Sequence, residues 1–145
     1  MEDVRAKDNV YWMLLQVAIR TKHGLMKLAE AHDLTVMQLY TLCLMNVDEP
    51  IPTNSISCML YCDASNVTGI VERLFTMGYI IRKEKPEDRR VKMVELTSSG
   101  IRLRNRLLEG LFDYELPEFH ALSQDQRAQL TSILSIVLQS QEAVK

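Results

Sequence analysis

Between Arg82 and Arg106 the chain gathers nine basic and four acidic side chains, a local net charge of +5, while the whole protein carries −2. The residues outside that stretch therefore carry −7. A basic stripe on an acidic body is the electrostatic footprint of a protein that meets a polyanion, and the alternative for a charge run is a solvated face; its position in the fold decides between them. The other chemistries have no such concentration. No nucleophile stands beside a base, no carboxylates pair in a glycine-rich setting and no phosphate loop is present, so an enzyme is not expected. Cys43, Cys58 and Cys62 are odd in number, lack C-x-x-C spacing and sit among apolar residues, which predicts small core residues in a reducing compartment. His23, His32 and His120 are scattered without metal-ligand spacing, so no metal or other cofactor is expected.

The elements that must position the basic stripe follow from composition and periodicity. The 145 residues include 47% hydrophobic and 25% charged side chains but only 5 Gly and 4 Pro, which predicts a mostly α protein of one domain or one domain with a short appended element. The first residues are charged, and no uncharged apolar run approaches the ~20 residues of a bilayer span. A cytoplasmic protein without a membrane partner is expected.

A first helix reads from about Lys7 to Ala31, so apolar from Val10 to Ile19 that it must be covered on two sides. Thr35 and Gln38 form a capping box for a second helix, ending near Asn46. Pro50 and Pro52 confine the next stretch to loop or short edge strand, after which Thr53 or Asn54 can cap a third helix ending near Tyr61. Asp63 is placed to cap a fourth, Ala64 to Met77, ended by Gly78. Its residues Val67, Ile70, Val71, Leu74 and Phe75 share one face; Ser65, Asn66, Thr68, Gly69, Glu72 and Arg73 share the other. Two helices joined so tightly suggest helix-turn-helix geometry. A hairpin follows at once, with strands Tyr79–Glu84 and Val91–Leu96 around a charged turn, Lys85 to Arg90. Thr97 to Gly100 start a fifth helix, whose Arg102, Arg104 and Arg106 cannot share one face, so at least one is structural. Pro117 ends it, and Ser123 with Gln126 caps a last helix to about Gln139.

In order and spacing, Leu34-Thr35-x-x-Gln38-x-x-x-Leu42, Ser65-Asn66-Val67-Thr68-x-x-Val71-Glu72-Arg73-Leu74, Gly78-Tyr79-Ile80-x-Arg82, Asp88-Arg89-Arg90 and Leu96-Thr97-x-x-Gly100 resemble the MarR family of bacterial winged-helix regulators. The likeness spans about residues 10 to 140. It implies a winged helix-turn-helix region at 35–100, with a β-hairpin wing, and a helical dimerisation region formed by 1–34 and 101–145. It further implies a homodimeric transcriptional regulator, read as an autoregulatory repressor, that binds a pseudo-palindromic operator in double-stranded DNA and is released by a small aromatic or phenolic effector.

Under that resemblance Ser65 suits a phosphate, Asn66 and Thr68 suit base edges or a thymine methyl, and Arg73 lies further along the same face. Arg90 would enter the minor groove, with Asp88 orienting its guanidinium, and Lys83, Lys85, Arg89 and Lys92 would meet the phosphates. Gly69 stands where many members carry a long polar or basic residue, so it marks weaker base readout or a close approach of backbone. By analogy, His23, Met37, Tyr40 and Arg73 would line the effector pocket. Oxidant-sensing members carry a cysteine near the start of the first helix, where this chain has Tyr11 and Trp12. The rival reading keeps the fold but makes it a protein-docking module; the acidic net charge and Gly69 favour it, and the Asp88/Arg90 wing opposes it.

Overall fold

Local capping chemistry sets most element starts. In a computed structural model that describes residues 9–113 and 117–139, each stretch forms its own compact unit. Helix α1 (Val10–Glu30) is capped by Asn9, whose side-chain oxygen accepts from the Tyr11 and Trp12 amides at 2.9 and 3.3 Å. The expected start at Lys7 falls outside the described residues. Helix α2 (Val36–Leu44) has the full capping box: the Gln38 amide donates to Thr35 Oγ1 and the Thr35 amide to Gln38 Oε1. A two-residue edge strand β1 (Ile51–Pro52) leads into α3 (Thr53–Leu60).

Two expected caps are corrected. Pro52 occupies the N-cap of α3, so neither Thr53 nor Asn54 caps it, and the Thr53 hydroxyl instead donates to the Lys92 carbonyl at 3.0 Å. Asp63 does hold the N-cap position of α4 (Ala64–Thr76), but its carboxylate makes no capping hydrogen bond. The turn between these helices is shaped instead by Tyr61, left-handed at φ 51°, with the Cys62 amide bonded back to the Ser57 carbonyl. Gly78, at φ 76°, ends α4 as expected: the Gly78 amide donates to Phe75 and the Tyr79 amide to Leu74, the paired bonds of a Schellman motif.

Strands β2 (Ile80–Lys85) and β3 (Asp88–Leu96) pair antiparallel, with β1 on the outer edge of β3. The turn is shorter than expected, only Pro86 and Glu87, because the ladder continues past Glu84↔Lys92 through an irregularity to Lys85↔Asp88. Asp88, Arg89 and Arg90 therefore sit on a strand, which fixes their backbone. Leu39, Leu42, Met45, Ile56, Leu74, Ile80, Val94 and Leu107 form the buried centre. Helix α5 (Ser98–Asp113) closes this core. Thr97 caps it, accepting from the Gly100 amide at 3.0 Å while donating to the Gly78 carbonyl at 2.7 Å. Of the three arginines, Arg104 is a structural one, its Nε donating to the Met45 carbonyl at 2.8 Å. The helix is described to Asp113, short of Pro117.

In the second unit a 3-10 turn (Pro117–Ala121) precedes α6 (Gln124–Gln139), which begins at the expected Ser123/Gln126 capping box. No residue of α6 is buried, and Ile133, Ile136 and Leu138 are exposed. Helix α1 behaves alike: only Gly24, Leu25 and Ala29 are buried, while Tyr11, Trp12, Leu15 and Ile19 face outward. Among the described residues the expected cover on two sides is thus missing. Among the described residues no helix is long and apolar enough to cross a membrane.

Candidate nucleic-acid interface

The outward face of α4 and the near edge of β3 form one surface. Val67, Ile70, Val71 and Leu74 anchor α4 in the core, which leaves Ser65, Asn66, Thr68, Gly69 and Arg73 exposed. The Thr68 hydroxyl is spent on the Ala64 carbonyl at 3.1 Å. A concave groove of about 410 Å³ runs from Thr68 on α4 to Arg90 and Lys92 on β3. Its floor includes Thr53, Asn54 and Ser57 of α3, which sequence reasoning missed. The Pro50-Ile51-Pro52 run was the available signal: a short edge strand there docks α3 against β3 through Ile51↔Val94 and Pro52↔Met93.

Arg90 is held at one edge and free at the other. Its Nε and backbone amide both donate to Asp88 Oδ1 at 3.1 Å, and Nη2 donates to Oδ2 at 3.3 Å. The side chain is nevertheless 92% exposed, so the clamp orients a guanidinium whose outer edge faces solvent. Those side-chain bonds first, then the backbone bond, hold the Asp88 carboxyl below its ordinary range. The clamp is therefore intact above the usual carboxylate range and is lost only as pH falls through that lowered value.

The rest of the stripe is more neutralised than its composition suggests. Lys92 pairs with Glu84 at 2.7 Å directly across the ladder, and Lys83 pairs with Glu95 on the opposite face of the hairpin. Arg82 pairs with Glu72 of α4 at 2.5 Å. Lys85 and Arg89 make no ion pair among the described residues, and both are exposed.

Of the four residues expected around an effector pocket, one lines the groove beside α4. Met37 lines a groove of about 450 Å³ between α2 and α4, together with Thr35, Cys62, Asn66 and Gly69. Tyr40 and Arg73 do not line it, and His23 is exposed on α1. Gly69 has an open surround: a Cβ built there meets nothing within 4 Å. Among the described residues no other element crowds that Cβ, so Gly69→Ala should raise stability by about 1 kcal/mol, the helix-propensity difference, measured by thermal or urea unfolding.

The cysteines depart from the core reading in part. Cys58 is exposed, because α3 is short and only Ile56 of it is buried; Cys43 and Cys62 pack partly against the core. Burial pushes the Cys43 thiol up, against the opposing charge of Arg104. A thiol-labelling time course on folded protein should therefore modify Cys58 first and Cys43 last. No group of three or more metal-ligating side chains occurs among the described residues.

Residues 34–92, from the start of the second helix's capping box through the basic strand of the wing, match the model of the MarR family. The chain is 28% identical over 107 residues to the HTH-type transcriptional regulator SarZ of Staphylococcus haemolyticus, covering 74% of this chain and 71% of that one. It is 25% identical over 143 residues to the HTH-type transcriptional repressor IacR of Pseudomonas putida, covering 99% and 86%. The fold matches that of wild-type MarR from E. coli in its apo form, with a TM-score of 0.79 at 23% identity over 90% of this chain and 96% of that one. The helix-turn-helix and the arginine clamp of the wing both lie within the matched stretch, which places residues 34–92 in the MarR family, and the relatives that the chain resembles are transcriptional regulators.

Proposed function

We propose that the protein is a homodimeric repressor of the MarR type that lays α4 in the major groove and Arg90 in the adjacent minor groove of a pseudo-palindromic operator, in its own promoter among others. The observation that carries this reading is the clamp: Asp88 orients Arg90 at the rim of the same groove that Thr68 lines. Ser65, Asn66, Thr68, Gly69 and Arg73 form the groove-facing surface, and Lys83, Lys85, Arg89 and Lys92 supply charge to the phosphates. Residues 1–34 and 101–145 form the dimerisation region, and 35–100 the DNA-binding region. The exposed apolar faces of α1 and α6, each in its own unit, support dimerisation, since water-exposed apolar patches of this kind mark interaction surfaces. A two-fold dimer sets two recognition helices about one turn of DNA apart. A small aromatic or phenolic effector that favours another separation releases the operator by population shift.

The test is a salt series. Anisotropy titrations of the duplex upstream of the protein's own gene should show log K falling steeply with log salt, about 0.9 per phosphate neutralised. Ion pairing of Lys83 and Lys92 on the wing favours the protein-docking alternative. That alternative predicts a shallow slope and no preference for this duplex over random sequence.

A further inference from the structure

Arg82 belongs to the basic stripe by sequence but to the recognition helix by structure. The ladder pairs Ile80 with Leu96 and Arg82 with Val94, so Arg82 stands on the face of the hairpin whose base, Ile80, Val94 and Leu96, is buried. From that face its guanidinium donates to Glu72 Oε2 at 2.5 Å and lies 4.7 Å over the Phe75 ring. Glu72 is one helical turn beyond Thr68 on the outward surface of α4, the only acidic side chain in that helix. A carboxylate on a surface that meets phosphate is repelled unless a cation stays with it. The aromatic ring beneath the guanidinium keeps that cation in place.

We propose that Arg82 is a positioning residue for DNA binding, which neutralises Glu72 on the recognition helix and ties that helix to the wing over Phe75 without touching DNA itself. The proposal rests on the DNA-binding reading of α4. Stability is not the function of the pair, because Glu72 and Arg82 are 60% and 39% exposed and ion pairs this open add little.

A double-mutant cycle tests it. Wild type first selects a duplex from a randomised pool, and that duplex is titrated with wild type, Arg82→Gln, Glu72→Gln and the double variant at one salt concentration. Arg82→Gln should bind about tenfold more weakly, since it leaves an unpaired carboxylate facing DNA. Glu72→Gln should lie within about threefold of wild type, and the double variant should return to within about threefold as well. All four should melt within a few degrees of one another. Unchanged binding by Arg82→Gln overturns the proposal, as does a double variant as weak as Arg82→Gln, which would make Arg82 a phosphate contact. Should Arg82→Gln unfold, Arg82→Lys replaces it, with a smaller loss that Glu72→Gln must again reverse; a loss it does not reverse overturns the proposal. A pool from which wild type selects nothing defeats the DNA-binding reading itself, and the proposal with it.

Discussion

Arg90→Ala is expected to weaken operator binding by about a hundredfold while leaving the fold intact. The side chain is 92% exposed and its partners are the Asp88 carboxylate oxygens, so its removal costs the core nothing. A hydrogen bond made by a charged group contributes about 1.5–3 kcal/mol, and a two-fold dimer loses one at each half-site. Anisotropy at fixed salt reads the effect, with unfolding curves as the control. Asp88→Asn should cost less, because it releases the orientation but keeps the cation. Binding of Arg90→Ala within twofold of wild type would remove the wing from the mechanism and leave α4 alone to carry recognition.

Gly100→Ala should destabilise the protein by about 3 kcal/mol or more, the range reached when a methyl is forced into a packed backbone. A Cβ at Gly100 collides with the Tyr79 carbonyl oxygen and lies 2.9 Å from the carbonyl carbon, both backbone atoms. Neither can retreat cheaply. The same Tyr79 oxygen accepts from the Thr97 amide at 3.0 Å, and the Thr97 hydroxyl holds the Gly78 carbonyl. Helix α5 is thus stitched to the turn that ends α4, and a urea midpoint close to wild type would mean that the stitch can slide. Gly69→Ala is the matched contrast: a glycine in open space against one under a carbonyl.

The Leu96-Thr97-x-x-Gly100 spacing was legible as a motif, and the structure supplies its cause, since Thr97 caps from one side of the turn while Gly100 admits Tyr79 from the other. The helices, the Thr35/Gln38 and Ser123/Gln126 boxes and the stop at Gly78 were equally legible, because each depends on residues within one or two turns of one another. The outward side of α4 followed from the same period: four buried apolar residues fix which polar ones point to solvent.

What the sequence could not supply is pairing across the hairpin and between elements. It grouped Arg82, Lys83 and Lys92 with Arg90 as one basic stripe, but register sends Arg82 to Glu72, Lys83 to Glu95 and Lys92 to Glu84. It offered Thr53 as a cap, but its hydroxyl meets a carbonyl 39 residues away. It grouped His23, Met37, Tyr40 and Arg73, of which only Met37 lines the groove beside α4. Capping, periodicity and backbone geometry are local and can be read along the chain. Which charge meets which depends on ladder register and on the docking of α3 and α4 against the wing, contacts between residues far apart in sequence, and only the folded chain decides them.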